Sequence, residues 1–341
     1  MNTTVHNFQS LPEVTRKTSP LAGLDAVARQ APLIGVIRNP RSHRNAGDSP
    51  DWTGRDTVLV ETPDRRSELL AILARFAERR VDYLVIDGGD GTIRDVLTCG
   101  AGVFGNLWPT LVVLPNGKTN ALAADLGLPR HWSLADALRA IDSGRVQARR
   151  PVVVSRRDKP DAQVQGFVFG GGIFTASVGL AQTAHKRGVF DALAVGITTL
   201  WTVTQALFGR PGNLWRRNTS MRVYDANGAD LPHSEGERAD SRFFILASTL
   251  TRFPAGLRPF ADVEGPIRMA LVDSARKGLL LRLALLFRGV LSEGLRRRGY
   301  HVFGRDRYGI DIDDRFILDG EAFPAGRYNL SLGPKLRFVV P

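Results

Sequence analysis

The hexapeptide Asp87-Gly88-Gly89-Asp90-Gly91-Thr92 most narrows what this chain can fold into. It follows the apolar run Tyr83–Ile86 directly and precedes a helical stretch that begins near Ile93. A buried strand that turns sharply into a helix needs glycine, because the backbone there leaves no room for side-chain carbons. The junction also has chemical consequences. Its backbone N–H groups can close around phosphate oxygens, and a helix N-terminus favours an anion. Thr92 adds a hydroxyl, and Asp90 stands where a carboxylate could hold magnesium at the C-terminal end of a strand. The competing explanation is a purely steric tight turn. A lone Gly-x-Gly would favour that; glycines with an acid and a threonine in this context favour phosphate.

Around this turn, strands alternate with helices. Leu33–Ile37, Thr57–Glu61, Tyr83–Ile86 and Thr110–Leu114 read as strands; Ser67–Arg79, Ala121–Leu126 and Ser133–Ile141 read as helices. Such alternation implies parallel βαβ units and an α/β layer architecture. Beyond about residue 146 the pattern becomes short strands separated by turns: Val152–Ser155, Gly166–Phe169, Met221–Tyr224, Phe243–Ser248, Arg268–Val272, Gly309–Ile312 and Phe316–Leu318. The expectation is a flexible tail over 1–30, an α/β domain over 31–145, and a mainly antiparallel β domain over 146–329. Helical insertions are expected at 188–209 and 274–298. A chain of 341 residues is long enough for two domains of this kind.

Three further segments offer chemistry. Asn39-Pro40-Arg41-Ser42-His43 follows the first strand with amide, guanidinium and hydroxyl donors, and Thr62 ends the second strand in a similar place. Leu114-Pro115-Asn116-Gly117-Lys118-Thr119-Asn120 is another strand-to-helix junction. Its Gly-Lys-Thr is not a Walker A loop, because valine occupies position 112 where that motif requires glycine. Lys118 could still reach a phosphate, and Asn120 is open between helix capping and ligand binding. Far downstream, Leu318-Asp319-Gly320-Glu321 reads either as a hairpin turn or as a turn that presents Glu321 as a general base.

Composition removes several alternatives. The single cysteine, Cys99, excludes an internal disulfide and a cysteine-built zinc site, and the six histidines lack metal-binding helical spacing. A formal charge of +12 first suggests nucleic acid or an anionic membrane. Forty of the 46 basic residues are arginine, however, a bias that a GC-rich genome produces equally well. The arginines are spread along the chain without a recognition motif or aromatic platform, so nucleic acid is not an expected partner. Residues 1–30 show no signal-peptide pattern, and the uncharged stretch Ala192–Gly209 reads as a one-sided helix that does not span a membrane. For the leucine- and arginine-rich stretch Ala275–Arg298, docking on an anionic bilayer stands level with core packing or homodimer contact.

Taken in order, these residues resemble the diacylglycerol kinase catalytic family, which includes bacterial diacylglycerol kinases, sphingosine kinases and ceramide kinases. Asn39-Pro40-Arg41-Ser42 is similar to its first nucleotide loop, Thr62 to its threonine after the second strand, and Gly88–Thr92 to its hallmark. Leu114–Ala123 is similar to its Pro-x-Gly-Thr-x-Asn-x-x-Ala loop, and Asp319-Gly320-Glu321 to its late acidic motif. The hallmark alone is shared with NAD kinases and phosphofructokinases. The resemblance implies an N-terminal three-layer α/β domain that binds ATP and a C-terminal β-sandwich that receives a lipid, with a last strand near 330–341 returning to the first domain. It implies that Asn39, Pro40, Arg41, Ser42, His43, Thr62, Gly88, Gly89, Gly91, Thr92, Lys118 and Asn120 contact the nucleotide. Asp90 would organise Mg2+, and Glu321 would be the base. The implied activity is transfer of the γ-phosphoryl of ATP to a lipid hydroxyl, of diacylglycerol, ceramide or a sphingoid base, in a cytoplasmic protein peripheral at the inner membrane surface. The alternatives are a kinase on a soluble acceptor such as NAD and a catalytically impaired nucleotide-binding regulator. Four positions depart from the pattern: Lys118 for threonine, Arg94 for asparagine, Arg149-Arg150-Pro151-Val152 without an acid, and Pro259–Gly265 without paired aspartates.

Overall fold

Val36, Ile37, Leu84–Ile86 and Leu111–Leu114 are buried apolar runs, the pattern of parallel strands covered on both faces. In the computed structural model, which describes residues 8–14, 30–42, 45, 57–173, 175, 218–234, 238, 240–275 and 289–341, they form the centre of a six-stranded sheet. The insertion expected at 188–209, much of that expected at 274–298, and His43 lie outside the described residues.

The strand order of this first sheet is β2 (Val58–Glu61), β1 (Ile34–Arg38), β3 (Tyr83–Gly88), β4 (Thr110–Pro115), β18 (Leu336–Val339) and β5 (Val146–Arg149). All neighbours are parallel except β18 and β5. Register places Arg38 opposite Asp87 and Gly88 opposite Pro115, so the loops leaving β1, β3 and β4 emerge along one edge. Helices α1 (Arg66–Glu78), α2 (Asp90–Phe104), α3 (Ala121–Leu126) and α4 (Leu134–Ser143) connect the strands. In α1, Leu69, Ile72, Leu73 and Phe76 are buried, and α4 opens with a Ser133–Asp136 capping box.

The second sheet runs β10 (Ser241–Arg242), β9 (Thr219–Asp225), β14 (Arg307–Ile312), β17 (Gly326–Leu332), β6 (Val152–Arg156) and β7 (Gln163–Gly166). The third runs β13 (Tyr300–Arg305), β12 (Ile267–Val272), β11 (Phe244–Ser248), β8 (Val168–Gly172), β15 (Phe316–Leu318) and β16 (Glu321–Phe323). Both are antiparallel throughout. They share one core, to which Val154, Ile310 and Tyr328 come from the second sheet and Phe169, Ile245, Met269 and Phe316 from the third.

Several features join these layers. Phe167, between β7 and β8, sits in the core of the first sheet and meets Phe338 of β18 edge-on at 6.4 Å. Thr98 of α2 accepts a hydrogen bond from the Gln165 N–H of β7 at 3.0 Å. The buried Asp125 at the end of α3 accepts the Thr251 and Arg252 N–H groups, both at 2.7 Å.

Residues 8–14 differ from the expected tail. Leu11 is buried in the core shared by the two antiparallel sheets, Val14 N–H donates to Asp161 O at 2.8 Å, and Gln163 N–H donates to Pro12 O at 3.0 Å. Seven residues with a few apolar side chains have no periodicity of their own; their order comes from the sheet they lie against. Among the described residues, no helix is long and apolar enough to cross a membrane.

Candidate active site

The loops on the C-terminal edge of the first sheet are tied together by Asp87, near the end of β3. Its Oδ1 accepts from Asn116 Nδ2 at 2.6 Å and from Asn45 Nδ2 at 2.8 Å, and its Oδ2 lies 3.5 Å from Arg38 Nε. A carboxylate without solvent contact needs such partners, and here they come from β1 and the loops after β1 and β4. Asn39 adds a second tie. Its N–H donates to Asp87 O at 2.9 Å, and its Nδ2 donates to Thr92 Oγ1 at 2.8 Å. Thr92 therefore accepts from Asn39 and keeps its own O–H to donate, as an anion requires. Arg41 N–H is bonded to Asn39 Oδ1 at 3.0 Å, and the Arg41 side chain is exposed beside this junction.

The hallmark turn and the loop after β4 meet backbone to backbone. A Cβ on Gly89 would stand 2.8 Å from Gly117 Cα, so neither glycine has room for a side chain. Gly89 is the N-cap of α2, and its carbonyl accepts Thr92 N–H at 2.9 Å and Ile93 N–H at 3.1 Å, which leaves the Asp90 and Gly91 N–H groups outside the helical ladder. Asn120, with φ of 50°, accepts Gly117 N–H at 3.0 Å and donates to Pro115 O at 3.0 Å and Gly117 O at 2.8 Å. Its amide thus shapes its own loop. Lys118 and Thr62 are exposed, the latter just past β2; Ser42 is buried, with its N–H on Asn39 O at 3.1 Å.

Asp90 opens α2 and reaches the start of α3, where its two oxygens accept Ala121 N–H at 3.0 Å and Leu122 N–H at 3.3 Å. Burial pushes its carboxyl up, while these amides, the Asn120 amide and Arg94 pull it back, leaving it above the ordinary aspartate range. Across from it stands the late acidic motif. Asp319 and Gly320, at φ of 45° and 82°, form the two-residue turn between β15 and β16, with Leu318 opposite Glu321. Asp319 accepts Val168 N–H at 2.9 Å and Phe167 N–H at 3.0 Å, and burial with the charge of Asp90 pushes it up to about 7.

Arg94 joins the two halves. It is fully buried, donates from Nη1 to Leu318 O at 3.2 Å and Asp319 O at 3.3 Å, and places Nη2 2.8 Å from Glu321 Oε2. Its Nε and the same Nη2 also donate to Asp95 Oδ1, at 3.2 Å and 3.0 Å. Glu321 is pushed up by burial and pulled back by Arg94, and remains above the ordinary glutamate range. The structure thus gathers Asn39, Gly88–Thr92, Asp90 and the Asp319–Glu321 turn.

The sequence places Asp87, Asn116 and Asp319 within motifs but assigns no role to them or to Asn45, and Arg94 stands there as a departure. One signal was available: Asp87 is an acid closing an otherwise apolar strand, where only paired carboxylates persist. Two of the three other departures contain residues with partners of their own. Arg149 pairs with Asp125 and bonds Thr251 Oγ1 at 3.3 Å, and Asp262 pairs with Arg258 on the surface.

No group of three or more His, Cys, Asp or Glu side chains that could hold a metal occurs among the described residues. The donor set facing the phosphate-compatible loops still suits magnesium. Asp90 and Asp319 are hard oxygen donors whose mutual repulsion a divalent cation relieves, and Mg2+ is commonly held by one or two carboxylates with phosphates and water.

Residues 51–153 match the model of the diacylglycerol kinase catalytic domain. A diacylglycerol kinase of Bacillus subtilis (strain 168) is 39% identical over 80 residues, which span 24% of this chain and 24% of that protein. Two crystal structures from Bacillus anthracis strain Sterne share the fold, with TM-scores of 0.63 and 0.62 at 14% and 15% identity. Each comparison covers 92% of this chain and 99% of the other, and the second structure is described as a diacylglycerol kinase. Over its hallmark turn and neighbouring loops, the chain is thus similar to diacylglycerol kinase catalytic domains, in a match that spans under a third of its length.

Proposed function

We propose that this chain is an ATP-dependent lipid kinase that transfers the γ-phosphoryl group to the hydroxyl of a diacylglycerol-type acceptor. The observation that carries the reading is the meeting of the Gly88–Thr92 turn with the Asp319–Glu321 turn through Arg94. One half offers amides and hydroxyls to phosphates; the other offers a carboxylate to a hydroxyl. In fold terms the first sheet reads as a nucleotide domain of the NAD kinase and phosphofructokinase kind, and the paired antiparallel sheets as a β-sandwich that receives the acceptor.

Phosphoryl transfer asks a protein mainly to position groups and neutralise charge. Asn39, Arg41, Thr92 and the amides at the start of α2 orient the polyphosphate. Glu321 takes the proton of the acceptor hydroxyl, whose oxygen attacks the γ-phosphorus as the bond to the bridging β-phosphate oxygen breaks and ADP leaves. Magnesium, which Asp90 would hold with Asp319 beside it, supplies neutralisation of phosphate charge when bound. A lipid acceptor places the protein at a membrane surface, peripheral and drawn to anionic headgroups.

The test is Glu321→Gln, assayed with labelled ATP against lipid micelles and, in parallel, against NAD in detergent-free buffer. Turnover on lipid should vanish while ATP binding persists. A fully active Glu321→Gln overturns the assignment of the base, and activity on NAD alone overturns the lipid acceptor.

A further inference from the structure

Phe8 sits at the seam between the two halves of the site. Its ring stacks on Phe323 of β16, with centroids 4.9 Å apart and planes within 5°, and its N–H donates to Ala322 O at 3.2 Å. The guanidinium of Arg66, the first residue of α1, lies over the same ring at 4.6 Å. One aromatic side chain therefore touches both the nucleotide half and the strand that begins with Glu321. Behind it, Leu11 is buried in the antiparallel core, and Pro12 and Val14 are bonded to the β6–β7 hairpin.

A line of charges runs from Phe8 to the candidate base. Arg66 Nε is 3.5 Å from Asp95 Oδ1, the same oxygen is 3.0 Å from Arg94 Nη2, and Arg94 Nη2 is 2.8 Å from Glu321 Oε2. Among the described residues, the Arg66 terminal nitrogens are buried without an oxygen or nitrogen acceptor in hydrogen-bond range, and the polar groups beside the guanidinium are Asp95 and the Cys99 thiol. The aromatic face of Phe8 thus supports that cation together with the Asp95 carboxylate and the Cys99 thiol. If the ring is removed, Arg66 is free to turn towards water and loosen Asp95, while β16 loses its stacking partner.

We propose that residues 8–14 form a strap whose Phe8 is a positioning residue for Glu321, holding the Asp319–Glu321 turn against the nucleotide half. The proposal rests on reading Glu321 as the base. Phe8 acts through Phe323 and through the Arg66–Asp95–Arg94 line.

The experiment compares Phe8→Ala, Phe8→Trp and Ile310→Val in the full chain, the last a core change on β14, a strand that carries no candidate site residue. Phe8→Ala should lower kcat about 10- to 100-fold, as small misplacements of a reacting group do, with the KM for ATP unchanged. Phe8→Trp, which keeps a stacking ring, should recover most of kcat. Ile310→Val should lower the melting temperature and leave kcat intact. Hydrogen exchange of residues 318–323 should quicken in Phe8→Ala alone. Unchanged kcat or unchanged exchange in Phe8→Ala, or an equal loss in Ile310→Val, overturns the strap. If Glu321→Gln is fully active, the base reading fails separately; exchange at 318–323 then decides whether Phe8 holds the turn, quickening supporting it and constancy overturning it.

Discussion

For Glu321, proposed above as the base, partial burial and one ion pair govern ionisation. Burial raises its pKa, and the adjacent Arg94 lowers it again, so the two residues set one ionisation between them. A base works only when deprotonated, so kcat should rise with pH through a limb above the ordinary glutamate range. Arg94→Gln removes the cation and leaves the burial, and should move that limb to higher pH; a pH–rate profile of the folded variant checks it, and an unmoved limb would contradict the pairing. Glu321 and Asp90 could be named as candidates from the sequence because each stands in a short motif with a chemical rationale. Arg94 was not. A buried arginine sits four residues along a helix from Asp90 and more than two hundred from its partner, and no local pattern announces so distant an ion pair.

Among the elements, the two strand-to-helix loops were readable as phosphate-compatible, but their contact with each other was not. Gly89 and Gly117 lie on different loops and meet because β3 and β4 are adjacent and in register, with Gly88 opposite Pro115. Gly117→Ala should push the loops apart and lower ATP affinity, with little effect on the fold beyond that edge; calorimetric titration with nucleotide measures it. Asn120 illustrates the same limit. Its residue type allowed capping or ligand binding, and the geometry commits its amide to Pro115 and Gly117. The first four strands and the helices α1, α3 and α4 were legible from apolar runs and periodicity. The segment 8–14 and the strand β5 were missed because their order is supplied by neighbours.

At the level of the whole molecule, the chain closes on itself. β18, the last strand, inserts between β4 and β5, and Phe338 is buried there against Phe167 from the β7–β8 connection. Phe338→Ala should destabilise the protein by about 3–5 kcal/mol, the usual result of emptying a large aromatic site. Because that side chain joins the first sheet to the connection between the other two, unfolding should remain one calorimetric transition at a lower temperature. Two separate transitions would contradict this linkage. The sequence by itself determined the α/β character of the first half, the glycine turn after β3 and the chemical types of Asp90, Thr92 and Glu321. Local steric and hydrophobic patterns act over a few residues and are written in the chain. Only the tertiary structure decided that Asp90 faces Asp319, that Arg94 meets Glu321 and that Phe8 braces the turn between them. Those contacts join residues far apart in sequence, and their energies depend on burial that exists only once the sheets have packed.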